Sequence, residues 1–171
     1  KSEFVNTLFG NYKYDDGKIF LDNKEVKIQT VTKAIKNNIG FVPDERKRSG
    51  LFLEFNLVKN ITLASIKKYK GFLKLFLNNK QEAKDANFFV KDLNISCYSL
   101  KQKVLNLSGG NQQKVVLAKW LLKDSEILIF DEPTRGIDVG AKVEIYKIIN
   151  NLSRRGKSII IVSPELEELI G

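Results

Sequence analysis

The sequence predicts an α/β fold: a parallel-sheet core, a small antiparallel β portion ahead of it, and a helical subdomain inserted into it. Three observations carry that prediction. Short apolar runs, "IGFVP" at 39–43, "EILIFDE" at 126–132 and "KSIIIVS" at 157–163, read as strands. Helical patterns separate them, and strands alternating with helices imply parallel pairing through right-handed crossovers. Between the first run and the second lies a long, mostly helical stretch, which fits an inserted subdomain better than a simple crossover.

Taken in order, "EFVNTLF" puts Phe4, Val5, Leu8 and Phe9 at helical spacing, and Gly10 supplies a stop. "YDDGKIFLDNKEVKI" reads as turn, strand, turn, strand. "VTKAIKNN" is a short helix before the strand "IGFVP", which runs into the charged loop "DERKRSG". Residues 56–95 are predicted mostly helical, with a break at Gly71 and a linker around 77–80. The best helix spans 109–123, with Val115, Val116, Leu117, Ala118, Trp120, Leu121 and Leu122 forming a broad apolar face. The strand "EILIFDE" follows, then a helix over 139–154 and the run "IIIV" (159–162), read as a buried strand. The tail "PELEELI" opens like another helix, with Pro164 in its first turn.

Composition narrows the possibilities. A chain of 171 residues is one ordinary domain, and its 43% hydrophobic and 29% charged residues are those of a soluble globular protein. No apolar run approaches the roughly 20 residues that span a bilayer, and no signal peptide is visible. Cys97 is the single cysteine, so no internal disulfide forms, which fits a reducing compartment. The absence of histidine excludes histidine catalysis and histidine-ligated metals within these residues. The net charge of +9 raises nucleic-acid or membrane-surface binding, but the lysines are scattered and only "DERKRSG" packs cations densely.

Three short motifs carry chemistry. Asp131 and Glu132 close an apolar strand, and open α/β sheets bind ligands at that edge. An acid there can support Mg²⁺ and its neighbour can polarise water, or the pair can simply end a strand. In "LSGGNQQK", two glycines open a helix where backbone N–H groups can approach an anion, with Ser108 suited to the N-cap. The same pattern also fits a plain capped joint. Lys1-Ser2 runs straight into a helix, as the end of a P-loop does.

Together the motifs resemble the ABC-type ATPases, which are P-loop NTPases. "LSGGNQQK" and "FDEPTRGIDVGAK" look like the signature motif, Walker B and D-loop. More narrowly, "LSGGNQQKVVLAKWLL", "DEPTRGIDVGAKVEIYKIIN" and "GFVPDERKRSGL" resemble the second cassette of bacterial importers for ribose, galactose and xylose, in which two cassettes share one polypeptide. The resemblance covers the whole chain. It implies a partial nucleotide-binding domain, with ATPase core at 1–45 and 124–171 and helical signature subdomain at 46–123. The first strand and P-loop glycines would lie ahead of Lys1.

By position, the resemblance makes Lys1 and Ser2 the last residues of Walker A, Lys1 reaching phosphates and Ser2 ligating Mg²⁺. Asp131 becomes the Walker B aspartate supporting Mg²⁺, and Glu132 the general base. Ser108, Gly109, Gly110 and Asn111 match the signature loop, which closes on ATP held by an opposite cassette. Asn111 stands where most of the family has glutamine. Asp138 matches the D-loop aspartate. Asp44 occupies the place of the Q-loop glutamine, and Pro164 that of the switch histidine. The implied cofactors are ATP and Mg²⁺. The implied partners are a second cassette, membrane permease subunits and, indirectly, a periplasmic or lipid-anchored sugar-binding protein, at the cytoplasmic face of the membrane. The Asp44–Gly50 loop, with Arg46, Lys47 and Arg48, is expected to meet the permease or else to lie in solvent. Competing readings are nucleoside import, a non-catalytic cassette presenting its signature loop, and a DNA-repair or chromosome-organising ATPase. No nucleic-acid partner is expected.

Overall fold

The computed structural model of the chain describes residues 1–70 and 77–166. Helix α1 (Ser2–Leu8) buries Val5 and is stopped by Gly10, whose φ of +78° is left-handed. Strands β1 (Ile19–Leu21) and β2 (Lys24–Val26) form the expected antiparallel pair. Asp22 and Asn23 turn the hairpin with φ of 49° and 63°, the positive values that a two-residue hairpin turn demands. Helix α2 (Val31–Lys36) is capped by Thr30, whose hydroxyl accepts the Lys33 N–H.

The core is a parallel sheet in the order β3–β4–β5, with β3 (Ile39–Val42), β4 (Ile127–Asp131) and β5 (Ser158–Val162). Register sets Phe41 opposite Ile129, and Ile129 opposite Ile160. Central strand β4 is closed on both faces, and Leu128, Ile129 and Phe130 are buried. Helix α6 (Val139–Arg154) makes the crossover from β4 to β5 and buries Ile145, Ile149 and Leu152 at helical spacing.

The expectation of a buried strand at 159–162 needs correction. Strand β5 lies at the edge of the described sheet and alternates between exposed and half-buried, with Ile160 36% exposed. An apolar run marks a strand, but only its neighbours determine whether both faces are covered.

The helical portion consists of α3 (Leu57–Thr62), a 3-10 turn over Leu63–Tyr69, α4 (Asn79–Asp92) and α5 (Gly109–Leu122). Glu82 on α4 is buried and accepts the Thr62 hydroxyl at 2.6 Å and the Lys59 ammonium at 2.6 Å, tying α4 to α3. Pairing is what makes a buried carboxylate tolerable there. The linker expected over 77–80 is shorter, because Asn78 caps α4 by accepting the Gln81 N–H. The expected break at Gly71 lies outside the described residues. Residues 164–166 are not helical, and the rest of that expected helix also lies outside the described residues.

Helix α5 joins the two parts. Its Val115–Ala118 segment and Trp120 are buried, and the Trp120 indole N–H donates to the Phe41 carbonyl on β3 at 2.6 Å. The same ring meets Phe9, just after α1, edge-on at 5.6 Å, and Phe9 stacks on Phe41 of β3 at 5.1 Å, so three aromatics join the end of α1 to β3 and α5.

Candidate functional site

Strand β4 delivers Asp131 to the C-terminal edge of the sheet, where its side chain is wholly buried. The Ser2 hydroxyl donates to Asp131 Oδ1 at 3.1 Å, while Oδ2 is buried without a hydrogen-bond partner. Burial pushes this carboxyl's pKa up, the nearby Asp44 and Glu132 carboxylates add to that, and the Ser2 hydrogen bond works against them. An unpaired buried carboxylate oxygen beside a hydroxyl is a hard oxygen donor set, and it fits a divalent cation such as Mg²⁺. Among the described residues no group of three or more acidic or sulfur side chains is placed to hold a metal. Mg²⁺ commonly takes one or two protein oxygens and completes its shell with phosphate and water.

Lys1 extends its ammonium to the Ser163 carbonyl just beyond β5, at 3.4 Å. Lys1, Ser2 and Asp131 therefore meet at one sheet edge although they are far apart in sequence. Glu132 follows with φ +45°, a left-handed conformation that costs a glutamate on the order of 1 kcal/mol. Its N–H is anchored on the Val162 carbonyl at 2.8 Å. Its side chain is 29% exposed, whereas that of Asp131 is wholly buried. A non-glycine residue held in that region is a common mark of a working site.

Asp44 reaches the same edge from the end of β3. Its carboxylate is held by Arg135, Nη1 to Oδ2 at 2.6 Å, and Arg135 Nε lies 3.8 Å from Glu132. Sequence reasoning quoted Arg135 inside "TRGID" without giving it a part. Its sign was the signal, a fixed cation three residues beyond an acidic pair.

Arg46 departs from both expectations made for it, since it is neither solvated nor offered to a partner. It is buried within a π-helical turn over Arg46–Gly50, and donates to the Arg135 carbonyl at 2.7 Å and the Gly136 carbonyl at 3.1 Å. Burial lowers its pKa. Lys47 and Arg48 of the same turn are exposed.

The "SGGN" turn lies against that loop. Ser108 is the N-cap of α5, accepting the Asn111 N–H at 3.4 Å and its side-chain amide at 2.9 Å. The Asn111 carbonyl oxygen accepts the Ser96 N–H at 2.8 Å. Both glycines are required by packing within the chain. A Cβ on Gly109 would lie 2.7 Å from Arg46 Nη2, and one on Gly110 would lie 2.6 Å from Ala141 Cβ. Asp138 caps α6 by accepting the Ala141 N–H at 2.9 Å, so α5 and α6 begin side by side. Pro164 lines a cavity of about 250 Å³ together with Glu132, Arg135, Lys142 and Glu165.

This fold is that of the ATP-binding cassette. A nucleotide-free cassette from an ABC transporter superposes with TM-score 0.81 at 19% identity, over 99% of this chain and 68% of the other. A dimeric cassette in a post-hydrolysis state bound to ADP and Pi gives TM-score 0.77 at 22% identity, over 98% and 71%. The chain belongs to the ABC transporter family, whose model matches residues 1–135. Among curated relatives, the ribose import ATP-binding protein of Clostridium perfringens (strain 13 / Type A) is 46% identical over the whole chain. The xylose import ATP-binding protein of Moorella thermoacetica is 48% identical, and the galactose/methyl galactoside import ATP-binding protein of Clostridium tetani 45%, each over the whole chain. The chain spans 34% of the length of each of these relatives.

Proposed function

We propose that this chain is part of an ATP-binding and ATP-hydrolysing subunit that energises monosaccharide import across the bacterial inner membrane, from its cytoplasmic face. The observation that carries the reading is the convergence at one sheet edge of the Ser2 hydroxyl, the buried and half-unpaired Asp131, and the left-handed, partly exposed Glu132. The names of the relatives support sugar import, and the two-cassette ADP-bound neighbour supports a dimeric site.

In this mechanism Lys1 binds the β- and γ-phosphate oxygens, and Ser2 with Asp131 would hold Mg²⁺. When bound, the cation neutralises charge that develops on the phosphates. Glu132 accepts a proton from the water that attacks the γ-phosphorus, while the bond to the ADP oxygen breaks. Asp131 serves the cation site, and Glu132, one residue on in a left-handed turn, takes the part of base. Ser108, Gly109, Gly110 and Asn111 present their turn to ATP held by a second cassette, and Asp138 stands at the same junction. A permease helix docks along the Asp44–Gly50 segment, beside a cleft of about 620 Å³ lined by Asp44, Glu45, Arg48, Ser49, Lys119 and Trp120.

One second reading has support in the site: a cassette that binds ATP but hydrolyses it poorly. Pro164 stands where the family carries its switch histidine, and Asp44 is already paired with Arg135. Glu132→Gln in the assembled transporter separates the two. Loss of most turnover with retained ATP binding supports hydrolysis here, because a general base contributes about 10²–10⁴-fold. Unchanged turnover rejects Glu132 as the base.

A further inference from the structure

The sheet edge holds acids from two strands, Asp44 beyond β3, Asp131 at the end of β4 and Glu132 just after it, and one arginine stands between them. The Arg135 guanidinium meets Asp44 at 2.6 Å on one side and Glu132 at 3.8 Å on the other. Its side chain is 54% exposed, so packing does not fix its position. The backbone does. Arg46 donates to the carbonyl of Arg135 and to that of Gly136, and two donors from one planar guanidinium fix both the place and the tilt of that turn. The Arg135 N–H then donates to the Glu132 carbonyl at 3.0 Å, closing a tight turn on the candidate base.

We propose that Arg135 is a positioning residue for Glu132, and that Asp44 and Arg46 act through it. Asp44 anchors the guanidinium end and Arg46 the backbone end, so the turn carrying Glu132 is held from both sides. This assigns Asp44 a partner inside the chain rather than a direct contact with metal or water. The strained φ of Glu132 makes such support necessary, since a residue in a sparsely populated region relaxes when its surroundings loosen. The inference rests on the ATP-hydrolysis reading only for its kinetic consequence.

The test uses the full-length protein with its membrane partner and the variants Arg135→Ala, Arg135→Lys, Asp44→Asn and the Arg135→Ala/Asp44→Asn double. Misplacing a base by about an ångström costs about a hundredfold, so Arg135→Ala lowers kcat about 10- to 100-fold while KM for MgATP changes less than about twofold. Arg135→Lys recovers part of that loss, because an ammonium can hold Asp44 but cannot bridge both carboxylates. The double variant is no worse than Arg135→Ala, because both changes break one link. Unchanged kcat in Arg135→Ala, full additivity, or a loss confined to KM each overturns the proposal. Hydrogen exchange of the 132–138 amides without nucleotide gives a second reading. Arg135→Ala and Asp44→Asn speed it equally if the link exists, and leave it unchanged if it does not. A wild-type protein that fails to hydrolyse ATP but shows this exchange pattern overturns the functional reading and leaves the link standing.

Discussion

The acid edge and the "SGGN" turn are both motif sites, yet they are built in opposite ways. At the acid edge the chain leaves chemistry unfinished: Asp131 Oδ2 has no partner, its carboxyl is disfavoured by burial, and Glu132 is strained. At the turn the chain satisfies itself. Ser108 and Asn111 bond each other and Ser96, while Arg46 and Ala141 fill the space beside the two glycines. The difference teaches that a motif's residues answer to different demands. The acids tolerate poor local energetics that a bound cation would relieve, whereas the glycines are fixed by the close approach of α6 and Arg46.

That contrast can be broken most sharply at Asp131. If Asp131 holds Mg²⁺ as proposed, Asp131→Asn removes a contribution of several kcal/mol in the transition state, and turnover is expected to fall about a hundredfold or more. Its melting temperature at neutral pH without Mg²⁺ is expected to equal or exceed the wild type. The sign follows from the raised pKa: folding favours the protonated carboxyl, so the ionised form at neutral pH is a cost that asparagine removes. A clearly less stable variant would mean that the acid edge is built for stability after all.

At the turn the order reverses. Gly110→Ala drives a methyl to 2.6 Å from Ala141 Cβ, and overpacking of this kind costs about 1–3 kcal/mol in denaturant unfolding. Wild-type stability in that variant would show that α5 and α6 can separate freely. Asn111→Ala removes the bonds to Ser96 and Ser108, with an expected loss of about 1 kcal/mol in the same assay.

The smallest effect concerns Lys119 of α5, which lines the same cleft as Ser2 and Asp44. It donates to the Gly50 carbonyl at 2.8 Å and lies 4.9 Å from the Trp120 ring, and burial lowers its pKa to about 8. Its pKa in the unfolded chain is higher, so between about 8 and 10 the unfolded state binds more protons and stability rises with pH. The penalty for burying the ammonium is fully present below pH 8. Lys119→Met should flatten the rise in melting temperature over pH 8–10, and an unaltered slope would contradict a half-buried lysine of depressed pKa.

Much of the fold was legible because its signals are local. The runs at 39–42, 127–131 and 158–162, the cap Ser108, and the stop at Gly10 depend on neighbours a few residues away. The candidate site was partly legible for another reason: its acids and glycines stand in motifs whose spacing the chain preserves. Arg46 shows where that ended. In sequence it is one cation in a charged loop, and only folding brings it under the turn 89 residues away.

By itself, then, the sequence determined the strand and helix order and the Ser108 cap, since these follow from side-chain periodicity and local backbone preference. The tertiary structure alone decided that β5 is half-exposed at the edge of the described sheet, that Asp44 is occupied by Arg135, and that the glycines of the "SGGN" turn are held against Arg46 and Ala141. Burial and ion pairing depend on distances between segments remote in the chain, and no local pattern records those distances.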